Sequence, residues 1–186
     1  MSDFVESTDK YQVVSSREVW QGHIYSIRVD DVRMPDGNIR EREVLTHAGA
    51  VGVVAVTVDR EVVLVRQYRH AIGGYLLEIP AGKRDRDEPP GECARRELKE
   101  EAGVEFRELI ELTEFYNSPG YSSELFHLFM AEITAIGEME PDGDEELDME
   151  RVIIPLDEAL AMIDRREIID AKSIIGLLLA ARRIST

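Results

Sequence analysis

The chain has 186 residues, 44% of them hydrophobic, with 38 acidic and 22 basic side chains and a formal net charge of −16. That length suits one domain, or one domain with a small extension, and is enough to bury a sizeable core. The charge argues against a nucleic-acid or anionic-membrane partner, because phosphates are repelled unless a strong basic patch or divalent cations intervene.

The opening "MSDFVESTDK" has neither a basic stretch nor an apolar run, and nowhere does the chain approach the ~18 apolar residues of a membrane span. Neither export nor membrane insertion is expected. Residues 11–47 alternate in the β manner, through "YQVVSSREVW", "HIYSIRVDDVRM", the turn "PDGN" and "REREVLTH". They read as a small sheet, so that residues 1–47 form an N-terminal β-strand region and residues 48–186 the main domain. "GAVGVVAVTV" is a nearly continuous apolar run, the mark of a buried strand. A tight turn at Asp59-Arg60 leads into "DREVVLVRQYRH" as a hairpin. Gly73 and Gly74 then break the chain before "YLLEIPAG", a short strand ending on Pro80 and Gly82.

"PPGECARRELKEEAG" has prolines at its start and Gly103 at its end, the punctuation of a helix. It carries the only cysteine, Cys93, which reads as a small buried apolar residue and not a nucleophile. With no internal disulfide possible, a reducing cytoplasm is the expected compartment. "RELIELTEFY" and "LFHLFMAEIT" are strands around the loop "NSPGYSSE". An acidic loop, "GEMEPDGDEELDME", precedes the strand "RVIIPL", and "LDEALAMIDRRE" and "DAKSIIGLLLAARR" close the chain as helices. There is no internal repeat. Strands before and after a central helix predict a mixed-sheet α/β or α+β sandwich.

Glu97, Glu100 and Glu101 fall on about one turn of the central helix, where like charges repel by roughly 0.2–0.5 kcal/mol per i,i+4 pair. At 100° per residue, Glu97 and Glu101 lie about 40° apart and Glu100 about 60° to the other side. Leu98, Ala94 and Ala102 turn away toward a core. Three carboxylates on one side form a hard-oxygen site, which suits Mg²⁺ or Mn²⁺ better than zinc. An exposed acidic helix face is the competing reading of the helix alone.

The wider spacing separates the two readings. Gly82, five residues, Glu88, seven residues, then Arg96-Glu97-Leu98-Lys99-Glu100-Glu101-Ala102-Gly103-Val104 resembles the Nudix box, G-x5-E-x7-R-E-U-x-E-E-x-G-U with U bulky and aliphatic. Ordinary residue usage would produce this match on the order of once in 10⁸ windows. The resemblance extends over roughly residues 15–180 and implies an α/β/α sandwich whose box glutamates bind divalent metals that coordinate a pyrophosphate. Carried over by position, it makes Glu97 and Glu101 the first ligands, Glu100 a shared or bridging one, and the backbone carbonyl of Ala81 a further one. It implies that Arg96 orients the carboxylates and that Glu88 fixes the loop. Gly82 and Gly103 are backbone-geometry positions.

The flanks resemble the ADP-ribose pyrophosphatases of that family. Pro119 stands 16 residues after Gly103, and "RQYRHAIGGYLLEIPAGK", "SPGYSSELFHLF" and "DAKSIIGLLL" are similar to the same subfamily. The resemblance implies a nucleoside diphosphate sugar as substrate and a homodimer in which the N-terminal sheet is exchanged. It makes Arg69 a phosphate contact, with Arg66 and Arg42 as weaker candidates that are otherwise surface charges. Trp20 and Tyr25 are candidates to stack on the base, or else to serve as buried anchors. The catalytic base is expected in the acidic loop, at Glu145 or Glu146 depending on where a gap is placed, with Glu140 and Glu150 less suited. Other Nudix substrates (GDP-mannose, UDP-glucose, a flavin dinucleotide or a dinucleoside polyphosphate) and a non-catalytic ligand-sensing module are the alternatives.

Overall fold

The computed structural model describes residues 5–6, 8–85, 87–140 and 148–185. It divides into two compact units, one formed by Met1–Ala48 with Ser118–Glu124 and the other by Gly49–Asn117 with Leu125–Thr186.

The first unit is built on a three-stranded antiparallel sheet: β1 (Gln12–Gln21), β2 (Tyr25–Arg33) and β3 (Ile39–His47), in the order β1-β2-β3. The β2–β3 connection is the expected Pro-Asp-Gly-Asn turn. Gly37 takes φ +83°, a conformation a side chain resists, and Met34 N–H donates to Asn38 O across it. A parallel bridge between Leu45 and Ser122 ties segment 118–124 to β3. All ten residues of β1 are exposed, Val13, Val14, Val19 and Trp20 among them.

The second unit is a seven-stranded mixed sheet. Its strands are β4 (Ala50–Val56), β5 (Glu61–Arg69), β6 (Gly74–Glu78), β7 (Ala81–Lys83), β8 (Val104–Tyr116), β9 (Leu125–Ile136) and β10 (Glu150–Pro155). The path is β10-β5-β4-β9-β8, with β6 on β5 and β7 on β4; β4 and β9 run parallel and the other pairs antiparallel. All seven residues of β4 are buried, because both faces of this central strand are covered. On one face Val51, Val53, Ala55 and Val63 meet Cys93, Ala94, Leu98 and Ala102. On the other, Val54, Val62, Leu64 and Leu128 pack with helix α2 (Leu156–Asp164) and helix α3 (Ala171–Ile184). Helix, sheet, helix is the α/β/α layering the sequence implied.

The central helix departs from the sequence expectation in one respect. It is α-helical only over α1 (Pro90–Glu97) and then widens into a π-helical turn, Leu98–Ala102. Turns of this kind are rare and concentrate at functional sites. Gly103 ends the helix in the left-handed conformation, φ +60° and ψ +40°. Among the described residues, no helix is long and apolar enough to cross a membrane.

Candidate active site

The site is assembled where the short strand β7 meets α1 and the π-helical turn. Glu97 and Glu101 are buried, at 4% and 3% exposure, which is unusual for carboxylates unless they are hydrogen-bonded or charge-compensated. Neighbouring donors compensate them. The Ala81 N–H donates to Glu101 Oε2 at 2.7 Å. Arg96 Nη1 donates to Glu97 Oε1 at 2.7 Å and to Glu100 Oε2 at 3.0 Å.

Arg96 is the hub of the site. Its Nε and Nη2 grip the two oxygens of Glu88, at 3.2 and 3.1 Å, and Nη2 also reaches Lys83 O at 3.3 Å. The fork geometry of a guanidinium is what allows one side chain to span three carboxylates. Arg96 holds the Glu88 carboxyl down at about 2, from an ordinary 4.5, against the opposing effect of desolvation. Glu88 in turn accepts from Asp85 N–H at 3.1 Å, and its carbonyl accepts from Arg84, so it closes the loop that enters the helix.

The two box glycines are close-approach positions. A Cβ on Gly82 would lie 2.0 Å from Glu97 Cδ, and one on Gly103 would lie 2.3 Å from Glu138 O. After β8 and β9 the chain returns to the helix end. Gly137 N–H donates to Gly103 O and Glu140 N–H to Glu100 O, while Lys99 pairs with Glu140 at 2.7 Å. Arg151 Nη1 bonds both Ala102 O and Gly137 O. Burial raises the Cys93 thiol, which leaves it protonated and unreactive, as its apolar position suggested.

Arg69 is close enough to Glu101 for their charges to interact. It forks onto Glu78, with Nε to Oε1 at 3.0 Å and Nη2 to Oε2 at 2.8 Å. Glu78 is 1% exposed and also takes a hydrogen bond from Lys172 Nζ, which lies 2.9 Å from Asp170 Oδ2. Burial alone would raise the Glu78 carboxyl; the hydrogen bonds of Arg69 and the charges of Lys172 and Arg69 bring it below its ordinary value instead. At Arg69 the hydrogen bond and charge of Glu78, with the charges of Glu101 and Asp170, outweigh desolvation and raise the guanidinium. Sequence reasoning passed over Glu78, Lys172 and Asp170. The available signal was a lone carboxylate inside the apolar stretch "YLLEIP" and the charged pair that opens "DAKSIIGLLL".

Arg66 pairs with Glu150 at 3.5 Å and stacks over the Tyr75 ring at 3.8 Å, on the β5–β10 side. Trp20, Tyr25, Arg42 and Pro119 belong to the first unit. There Trp20 and Tyr25 face each other at 5.2 Å, half-exposed and not buried as anchors, and Arg42 bonds Glu41 O. Glu145 and Glu146 lie outside the described residues. A separate group of metal-capable side chains, Glu111, Glu114 and His127, converges on β8 and β9 with ligand atoms within 4.8 Å of one another.

The donor set at the box fits a divalent cation. It consists of hard carboxylate oxygens held without soft ligands, with Gly82 presenting no side chain against Glu97. The description "NUDIX domain" matches residues 46–174, and "Nucleoside diphosphate sugar hydrolase N-terminal domain" matches residues 11–45. The chain belongs to the Nudix family.

Three relatives align over most of this Nudix chain. An ADP-ribose pyrophosphatase of Bacillus subtilis (strain 168) is 36% identical over 162 residues, covering 87% of this chain and 88% of that one. A methanol dehydrogenase activator of Bacillus methanolicus is 36% identical over 166 residues, covering 89% and 90%. An ADP-ribose pyrophosphatase of Mycobacterium tuberculosis is 38% identical over 170 residues, covering 90% and 82%. A crystal structure of an ADP compounds hydrolase superposes with a TM-score of 0.80 over 97% of both chains at 24% identity, a likeness of fold.

Proposed function

We propose that this Nudix protein hydrolyses the pyrophosphate bond of ADP-ribose, giving AMP and ribose 5-phosphate, or the same bond of a related nucleoside diphosphate sugar, with Mg²⁺ or Mn²⁺. The observation that carries the reading is the buried Glu97–Glu101 pair walled by Gly82, with the Arg69 guanidinium within electrostatic reach of Glu101. Carboxylates so placed hold cations, and an adjacent arginine meets phosphate oxygens. The names of the Bacillus subtilis and Mycobacterium tuberculosis relatives support ADP-ribose as the first substrate to test.

A cation bound at such a site neutralises charge on the diphosphate and lowers the pKa of water. The chain's own residues supply the rest. Glu97 and Glu101 are the foremost ligands, with Glu100 and the Ala81 carbonyl completing the set. Arg96 keeps the carboxylates aimed, and Arg69 takes a phosphate oxygen. The attacking water must lose a proton, and Glu145 or Glu146 is assigned that role. Glu140, just before them, is hydrogen-bonded to Glu100 O, which supports a base arriving from this part of the chain.

The first unit is assigned to a homodimer interface through residues 11–47. A ten-residue edge strand carrying exposed Val13, Val14, Val19 and Trp20 is a pairing liability in a lone chain. With Trp20, Tyr25 or Arg42 contributed to the substrate by this sheet, dimerisation and affinity are linked. Sedimentation is expected to show a dimer at micromolar concentration; a fully active monomer would refute the assignment. The cytoplasm remains the compartment expected from a single buried thiol.

The deciding experiment is kcat/KM with Mg²⁺ across ADP-ribose, GDP-mannose, UDP-glucose, a flavin dinucleotide and a dinucleoside polyphosphate. ADP-ribose is expected to lead. Turnover of none of them would favour a ligand-sensing module.

A further inference from the structure

Arg69 faces an electrostatic difficulty if it is to hold an anionic diphosphate. It is already forked onto Glu78, a buried carboxylate, and a one-to-one pair of this kind cancels its own field. The structure contains a counterweight. Glu78 Oε2 is shared with Lys172 Nζ, and Lys172 is 12% exposed, held between Glu78 and Asp170. Asp170 is the N-cap of α3: its Oδ2 accepts from Ser173 N–H at 3.0 Å and from Ser173 Oγ–H at 2.6 Å. A carboxylate there is compensated by the positive end of the helix. Ser173 Oγ in turn accepts from Ile79 N–H at 2.8 Å, which fastens the first turn of α3 to the residue after Glu78.

The result is a chain of alternating charge: helix N-terminus, Asp170, Lys172, Glu78, Arg69. Each carboxylate is answered on both sides, so Glu78 does not consume the whole charge of Arg69. The guanidinium side chain is still 33% exposed, so it can face an anion while Glu78 is shared with Lys172. We infer that Lys172 is a positioning residue for the substrate diphosphate: by sharing Glu78 with Arg69 it fixes the Arg69 guanidinium and leaves its charge available to the anion. Lys172 does so without touching the substrate, since its ammonium is spent on Glu78 and Asp170. This rests on the proposed role of Arg69 in binding phosphate.

The test compares Lys172→Met, Lys172→Arg, the double variant Glu78→Gln with Lys172→Met, and the wild type by calorimetric binding of inorganic pyrophosphate in the presence of Mg²⁺, a readout that needs no turnover. Lys172→Met is expected to bind about tenfold more weakly, because Glu78 then draws on Arg69 alone. Lys172→Arg restores affinity. The double variant also recovers most of it, since an amide in place of the Glu78 carboxylate still accepts from Arg69 but no longer cancels its charge; a merely structural Lys172 would leave the double variant as weak as the single one or weaker. On the panel compound that the wild type turns over best, Lys172→Met raises KM about tenfold with kcat within about threefold. Wild-type affinity in Lys172→Met, no recovery in the double variant, or no pyrophosphate binding by the wild type overturns the inference. Failure of the panel with graded pyrophosphate binding intact overturns the substrate reading alone.

Discussion

The carboxylate of Glu97 occupies the space in which a side chain on Gly82 would begin: a Cβ there would lie 2.0 Å from Glu97 Cδ and Oε1. Fifteen positions apart in sequence, strand β7 and helix α1 are pressed together until backbone meets carboxylate. The missing side chain at Gly82 is therefore a requirement of the site, separate from any need for unusual backbone angles.

Gly82→Ala follows directly. The methyl group must displace Glu97 or move β7, an overpacking cost of about 1–3 kcal/mol. Calorimetric titration with Mg²⁺ is expected to show affinity reduced about tenfold or more, with kcat falling alongside. Wild-type metal affinity in this variant would mean that Glu97 is not a ligand.

Glu101→Gln keeps shape and loses charge. Its Oε still accepts from Ala81 N–H, so the fold should hold, and thermal unfolding is the check. Turnover should drop by orders of magnitude, as it should for the wild type treated with EDTA and dialysed. Undiminished rates after chelation would sink the metal-dependent mechanism.

Glu88 supplies a pH signature. Hydrogen bonding to Arg96 lowers its carboxyl from 4.5 to about 2 in the folded chain. A depressed folded-state value means that the pair stabilises the fold fully above pH 4.5, and that this contribution disappears as pH falls toward 2. Chemical unfolding of the wild type and Glu88→Gln should differ by about 1 kcal/mol near neutrality, as for a partly exposed ion pair. The gap should close between about pH 5 and pH 2. A gap that does not vary with pH would assign Glu88 a role other than its charge.

The base is tested by Glu145→Gln and Glu146→Gln. A group that acts only as the transition state forms affects kcat far more than KM. One variant should be nearly inactive while binding metal and substrate normally, and the other mild, with Glu145 the favoured position because it follows Asp144 in an acidic pair. If both retain more than about a tenth of the wild-type kcat, a barrier change under ~1.4 kcal/mol, the base lies elsewhere and Glu100 is the next candidate.

How much of this was legible in the sequence depended on whether the signal was local. The box is local: Gly82, Glu88, Arg96, Glu97, Glu100 and Glu101 lie within 20 positions, and their spacing alone declared the family and the side of the helix on which the carboxylates fall. Strands β4 and β9 were equally plain, as apolar runs. The π-helical turn at Leu98–Ala102 was not, since no residue type marks the widening of a helix. Nor was the Asp170–Lys172–Glu78–Arg69 chain. Glu78 and Lys172 are 94 positions apart, and only the packing of α3 against the sheet brings them together. Residue types and short spacings belong to the chain alone. The balance of charge around a buried carboxylate belongs to the tertiary structure, because desolvation depends on which distant segments exclude the water.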